Sequence, residues 1–287
     1  MSFNTPGELT ALPSDLFPGA GLGVDTNPDG PPEGDRWSSW DGALHGPNPR
    51  PDWVITALGA VDADLGVLKT GKEADVHVVR RWVPGTDESI TLAAKRYRSH
   101  DHRMFHRDAG YLEGRRVRRS RETRAMARRT AFGKEVISQQ WAFAEFGALG
   151  RLWALGLPVP YPVQLTDEEL LMEFVGTGVE AAPRLAQARP ASDLLADLFE
   201  QCRDAMATLA VEGWAHGDLS PYNVLLHGDR LVIIDWPQIV DVVGNPHGAD
   251  FLQRDVHNMC RWFTSRGLEV DEEAMFGDLM ACVYSRW

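Results

Sequence analysis

Two short apolar runs late in the chain, Val224-Leu225-Leu226 and Leu231-Val232-Ile233-Ile234, flank His227-Gly228-Asp229 and read as a pair of strands joined by a tight turn. Polar residues bracket the pair. His216-Gly217-Asp218-Leu219-Ser220-Pro221-Tyr222-Asn223 leads into the first run, and Asp235 ends the second. Upstream, Asp75 to Val79 and Ser89 to Ala94 have strand character around the turn Pro84-Gly85-Thr86-Asp87, and Leu170 to Val175 reads as a buried strand. Ser138 to Leu155 carries Trp141, Phe143, Phe146, Leu149, Leu152 and Trp153 at mixed three and four spacing, which predicts a helix. Ala191 to Glu212 predicts a core-facing helix, and more helices follow Asp235. Strands first and helices later give an α+β class in two lobes.

The remaining segments differ in composition. Residues 1–50 hold eight Pro and eight Gly with seven carboxylates and two Arg, so a disordered acidic leader is expected there, with Trp37 and Trp40 able to dock on the folded body. Order is expected from about Pro51, where a helical pattern runs through Leu58 and Val61 to Leu65 and Leu68. Residues 95–134 contain 14 of the 29 basic residues and 4 of the 41 acidic ones. The segment is therefore +10 while the chain as a whole is -12. That segregation predicts a flexible basic insert at 96–134 that meets either an external polyanion or the protein's own acidic surface. His100, His102 and His106 open it, but the neighbouring arginines oppose a metal there. Cys202, Cys260 and Cys282 form no CxxC pair and read as reduced thiols. Met1 to Pro18 lacks a basic and an apolar region, and no apolar run approaches the ~20 residues of a membrane span, so a soluble cytoplasmic protein is expected.

Phosphoryl transfer from ATP requires a carboxylate to orient the attacking hydroxyl, metal ligands to hold the phosphates, a cation on those phosphates and a turn over them. Asp218 precedes Asn223 by five residues, the spacing at which a catalytic Asp is followed by a metal-binding Asn, and Asp235 takes the second metal position. Thr70-Gly71-Lys72-Glu73-Ala74-Asp75-Val76 supplies the turn. Lys95 ends the following strand, as the phosphate-binding cation should. Glu145 lies among Trp141, Ala142, Phe143, Ala144 and Phe146, where a carboxylate needs a partner, and Lys95 is that partner.

This set resembles the RIO atypical serine kinases. The likeness is carried by Thr70 to Val76, Lys95-Arg96-Tyr97, Arg107-Asp108 with Tyr111, Trp141 with Glu145-Phe146, Gly156 to Pro160, and Met172-Glu173-Phe174. It continues through His216 to Asn223, Ile233 to Gln238, and Asp250-Phe251-Leu252 with Arg254-Asp255, so that it spans roughly 51–266. The resemblance implies a trimmed two-lobed kinase fold at 51–287, with an N-lobe at 51–175 and a C-lobe at 176–287, and with ATP and Mg²⁺ bound between them. It implies that Lys95 holds phosphates and Glu145 positions it, that Asp218 is the catalytic Asp, and that Asn223 and Asp235 bind metal. Thr70, Gly71 and Lys72 would cover the phosphates, and the backbone of Glu173 and Val175, behind Met172, would meet adenine. Family members can also form a phosphoaspartate at the metal-binding Asp and act as ATPases, so ATP hydrolysis stands beside protein-serine phosphorylation. Two alternatives remain. His216-Gly217-Asp218 and Ile234-Asp235-Trp236 also suit aminoglycoside-like and choline-like phosphotransferases, although only 52 residues follow Asp235 to build a substrate cover. An RNA-binding or ribosome-binding module could use the basic insert, with rRNA or a ribosomal particle as partner.

Overall fold

The computed structural model of the protein describes residues 30–98, 131–167, 169–236 and 239–285. Strands β1 (Arg36–Trp37), β2 (Leu44–His45), β3 (Val61–Thr70), β4 (Ala74–Trp82) and β5 (Ser89–Tyr97) come first. Helix α1 (Ala131–Ala154) and strands β6 (Pro162–Thr166) and β7 (Glu169–Glu173) complete the upper lobe. The lower lobe runs through β8 (Gly176–Thr177), β9 (Glu180–Ala181), α2 (Ser192–Val211) and β10 (Trp214–Ala215). It ends with β11 (Val224–His227), β12 (Arg230–Ile233), β13 (Val240–Asp241), α3 (Gly248–Ser265) and α4 (Glu272–Tyr284). The α+β, kinase-like class expected from the sequence is the one observed.

One antiparallel sheet organises the upper lobe, in the order β1-β3-β4-β5-β7-β6-β2. The β4–β5 hairpin forms where the alternation predicts it, with Val78 opposite Ala93 and Trp82 opposite Ser89. Val79, Leu92, Ala94, Val163 and Leu171 pack one face, under Trp40, Val54 and Tyr161. The same face buries Arg81, whose guanidinium donates to both Asp62 oxygens at 2.7 and 2.9 Å and to Gln164 Oε1 at 2.7 Å. A charge fully removed from water needs such a fork-to-carboxylate partner.

Two expectations are corrected. The leader is expected to stay disordered to residue 50, yet residues 30–50 lie along the sheet and add β1 and β2 to it. Asp35 and Ser38 donate their amides to Asp62 and Ala60, each at 2.8 Å, while Gly46 donates to Val163 at 3.1 Å on the opposite edge. The segment therefore straps the two free edges together. It cannot fold alone, but a preformed sheet edge offers it backbone partners, and Trp40, 8% exposed, supplies the buried area. His45 stacks on Trp40 at 3.8 Å and Arg50 covers it at 4.7 Å, whereas Trp37 stays exposed. Residues 1–29 lie outside the described residues. The second correction is β3. Leu58, Leu65 and Leu68, expected along a helix stripe, are exposed, and 61–70 pairs instead with β4, from Val61 opposite Trp82 to Thr70 opposite Asp75.

Helices α2 and α3 form the lower core. Leu195, Leu198, Cys202, Ala205, Met206 and Leu209 of α2 share one buried cluster with Leu252, Val256, Met259 and Phe263 of α3 and with Met275, Leu279 and Val283 of α4, the helix on which both pack. The three cysteines are unpaired thiols. Among the described residues no helix is long and apolar enough to cross a membrane.

Candidate active site

The cleft is lined from above by the sheet. The turn from β3 to β4 closes through the Gly71 amide on the Ala74 carbonyl at 2.9 Å. A Cβ on Gly71 would sit 2.8 Å from that carbonyl, so only glycine fits, and the turn keeps a backbone cradle of the kind phosphates need. Thr70 ends β3, and Lys72 stands exposed in the turn. On β5, Lys95 Nζ lies 2.8 and 2.6 Å from the two oxygens of Glu145 on α1, and 3.2 Å from Asp235 Oδ1 of the lower lobe. Burial works against the Lys95 charge, but Glu145 and Asp235 outweigh it and hold the ammonium above its ordinary pKa. Tyr97 donates its hydroxyl to Glu145 Oε2. Burial, then the Glu145 charge, raises the Tyr97 pKa well above normal, so the phenol stays protonated as a donor.

At the strand after Met172, the Glu173 amide is committed to the Tyr161 carbonyl at 2.9 Å. An adenine edge can therefore be met from Glu173 only through its carbonyl. The Val175 carbonyl accepts from Ala182 at 2.9 Å, which leaves the Val175 amide as that residue's outward group.

The lower rim is the β11–β12 hairpin, with Val224 opposite Ile233 and His227 opposite Arg230. Its loop is held from α3. Asp255 accepts the amides of Gly217 at 2.7 Å and Leu219 at 2.8 Å, Asn258 Nδ2 donates to the Leu219 carbonyl at 2.9 Å, and Arg254 donates to the Gly217 carbonyl. Burial pushes the Asp255 carboxyl up to about 7 against the pull of those two amides. His216 Nδ1 accepts from the Asp218 amide at 3.3 Å and its Nε2 faces the Ile234 carbonyl at 3.2 Å, an arrangement that fits the neutral Nε2–H tautomer. Burial lowers its pKa accordingly. Asn223 Nδ2 donates to the Asp218 carbonyl at 3.0 Å, which turns its Oδ1 away as a ligand oxygen. Asp218 itself is exposed.

Asp235 follows β12 with φ at 69°, in the left-handed region, and this bend swings its carboxylate out of the strand toward Lys95. Burial raises its pKa, but Lys95 lowers it further, so it is an anion. The donor set suits a hard divalent cation: one carboxylate, one amide oxygen, and room for phosphate and water oxygens. Among the described residues no cluster of three or more His, Cys, Asp or Glu gathers for a metal.

The structure thus joins Lys95, Glu145 and Asp235 in direct contact and Asp218 to Asn223 through one hydrogen bond. Sequence spacing did not point to Tyr97 as the third group on Glu145, to Asp255 as the brace of the loop, or to Lys69 and Arg184 at the cleft. Only cross-strand register and helix docking bring them in. Of the basic insert expected at 96–134, residues 99–130, including His100, His102 and His106, lie outside the described residues.

One protein family and three relatives match this chain. The family profile of the RIO domain matches residues 86–275. The RIO-type serine/threonine-protein kinase Rio1 of Haloferax volcanii is 32% identical over 218 residues, covering 76% of this chain and 69% of that protein. The serine/threonine-protein kinase rio1 of Dictyostelium discoideum is 32% identical over 209 residues, 72% of this chain but 34% of that protein. The serine/threonine-protein kinase RIO3 of Homo sapiens is 34% identical over 134 residues, 46% of this chain and 26% of its own.

Proposed function

The chain belongs to the RIO family of serine/threonine-protein kinases, with ATP-dependent phosphoryl transfer as its activity, and from that premise we propose that it passes the γ-phosphoryl group of Mg²⁺-ATP to a protein serine. The observation that carries this reading is Lys95 bridging Glu145 at 2.6 Å and Asp235 at 3.2 Å, because it aligns the phosphate cation of one lobe with the metal ligand of the other. Asp218 orients the serine hydroxyl and takes its proton. Lys95 holds phosphate oxygens, Glu145 and Tyr97 hold Lys95, and Asp255 fixes the backbone that carries Asp218. Asn223 and Asp235 would hold the Mg²⁺, whose charge offsets that of the phosphates. Thr70, Gly71 and Lys72 cover the phosphates, and the Glu173 carbonyl and Val175 amide meet adenine.

A second reading is favoured by Asp235, whose side chain is 43% exposed and held ionised. Its Oδ can attack the γ-phosphorus, releasing ADP, and water then cleaves the acyl phosphate to give phosphate, which is net ATP hydrolysis. The family match favours both readings over a small-molecule phosphotransferase. The unpaired cysteines support a cytoplasmic location, and the charge segregation supports an rRNA or ribosomal partner for residues 96–134. Incubation with γ-labelled ATP and Mg²⁺, then acid and hydroxylamine, separates the chemistries. Acid-stable label on serine supports protein phosphorylation, hydroxylamine-labile label supports the aspartyl route, and no label with no released phosphate refutes both.

A further inference from the structure

Lys95 is shared between Glu145 and Asp235, and the loop from Asp218 to Asn223 contains no Lys or Arg. The distal phosphates carry most of the charge of ATP, and transfer relies on positioning and electrostatic stabilisation, so a further cation at the γ end is a functional requirement. Two residues that no motif singled out meet it.

Lys69 lies opposite Val76, and Val76 lies opposite Lys95, across the adjacent strands β3, β4 and β5. Residues directly opposite in antiparallel strands share a face, so Lys69 projects from the side on which Lys95 meets Asp235, about 10 Å along the sheet. Arg184 comes from the lower lobe. The segment from Pro183 to Ala186 is bound along the catalytic loop: the Leu226 amide donates to the Pro183 carbonyl and the Ala186 amide to the Pro221 carbonyl, both at 2.9 Å. Arg184 bridges to Leu225 and donates its Nη1 to the Tyr222 carbonyl, one residue before Asn223. Strand register thus sets Lys69 on the face of Lys95, and Arg184 is held beside Asn223, so both border the same cleft. Burial, followed by the positive charge of Arg184, lowers the Lys69 pKa, with Asp235 opposing. Cations that converge across a cleft repel, and an anion placed between them relieves that repulsion.

We propose that Lys69 and Arg184 form a two-sided clamp on the terminal phosphate of the nucleotide, one jaw on β3 and the other beside the catalytic loop. The inference rests on the nucleotide-dependent function above. Because the jaws come from opposite lobes, a terminal phosphate draws the lobes together, and ADP, which lacks it, does not.

Calorimetric titration of the full chain with ATP and with ADP, each with Mg²⁺, tests the clamp. Lys69→Gln and Arg184→Gln should each weaken ATP binding about tenfold while leaving ADP affinity within about twofold, and the double variant should bind the two nucleotides alike. Arg184→Lys should restore part of the preference, since a point charge remains. An unchanged ATP-to-ADP ratio in Lys69→Gln overturns the clamp while leaving the kinase reading intact. Equal loss of ATP and ADP in Arg184→Gln also overturns it, by showing that Arg184 only braces the Tyr222 carbonyl. If Arg184→Gln fails to fold, Lys69→Gln, on an exposed strand position, decides alone. Failure of the unaltered protein to bind either nucleotide refutes the kinase reading and the clamp together.

Discussion

Lys95 Nζ lies 2.6 Å from Glu145 Oε2, and Glu145 is 2% exposed, so the pair is a buried ion pair rather than a surface contact. Lys95→Met should leave an uncompensated carboxylate in an apolar helix and destabilise the fold by about 3–5 kcal/mol. Adding Glu145→Gln should recover much of that loss, because the neutral amide still faces the Tyr97 hydroxyl. Urea denaturation of the single and double variants reads the difference. A double variant no more stable than Lys95→Met would show that the pairing is not what stabilises the site.

The proposed metal role of Asp235 can be separated from nucleotide binding. Asn tolerates the left-handed backbone that Asp235 adopts, at φ 69°, so Asp235→Asn keeps the bend and removes only the charge. In the unaltered protein Mg²⁺ should strengthen ATP binding. In the variant that increment should vanish, while affinity measured in a chelator changes little. Retention of the full Mg²⁺ increment by Asp235→Asn would remove it from the metal site.

Asp255 sets a pH dependence. Its folded value, about 7, lies above the ~3.9 of an unfolded chain. The folded state therefore binds the proton more tightly, so the contribution of this group to stability is complete below the unfolded value and is lost as pH rises through about 7. Asp255→Asn lacks that titration and also points an NH₂ at a backbone donor, costing about 1–3 kcal/mol. The melting-temperature advantage of the unaltered protein over the variant should be widest near about pH 5 and narrow toward about pH 8. A constant difference across that range would contradict it.

The N-terminal strap yields a stability test far from the cleft. Trp40→Ala should cost about 3–5 kcal/mol, the range for emptying a buried aromatic position, and Trp37→Ala, at an exposed site, well under 1 kcal/mol. Equal effects would mean that the strap does not cover the sheet.

Legibility followed physical period. The β4–β5 hairpin, β7 and α2 were readable because alternation of two or recurrence of three and four residues is written in consecutive side chains. β3 was misread because Leu58, Val61, Leu65 and Leu68 fall at helical spacing by coincidence, while the ladder to β4 decides the backbone. β1 and β2 are two residues each, too short for any period, and exist because a sheet edge receives them. In the site, the pairing of Lys95 with Glu145 was legible because a lone carboxylate among apolar neighbours needs a cation, and Asp218, Asn223 and Asp235 are proposed from the order and spacing that phosphoryl transfer uses. Tyr97, Arg184 and Asp255 have no such spacing rule. Their roles arise from register and helix docking, which a linear sequence does not display.

The most direct measurement is phosphoryl release and transfer from γ-labelled Mg²⁺-ATP by the unaltered protein and by Asp218→Asn, with ATP affinity determined in parallel. The exposed Asp218 carboxylate is proposed to act on the serine hydroxyl and not on the nucleotide, so affinity should hold while turnover falls by at least ~10²-fold, the scale of general-base loss. Equal turnover in the variant would contradict the assignment of Asp218 and, with it, the proposed chemistry of the cleft.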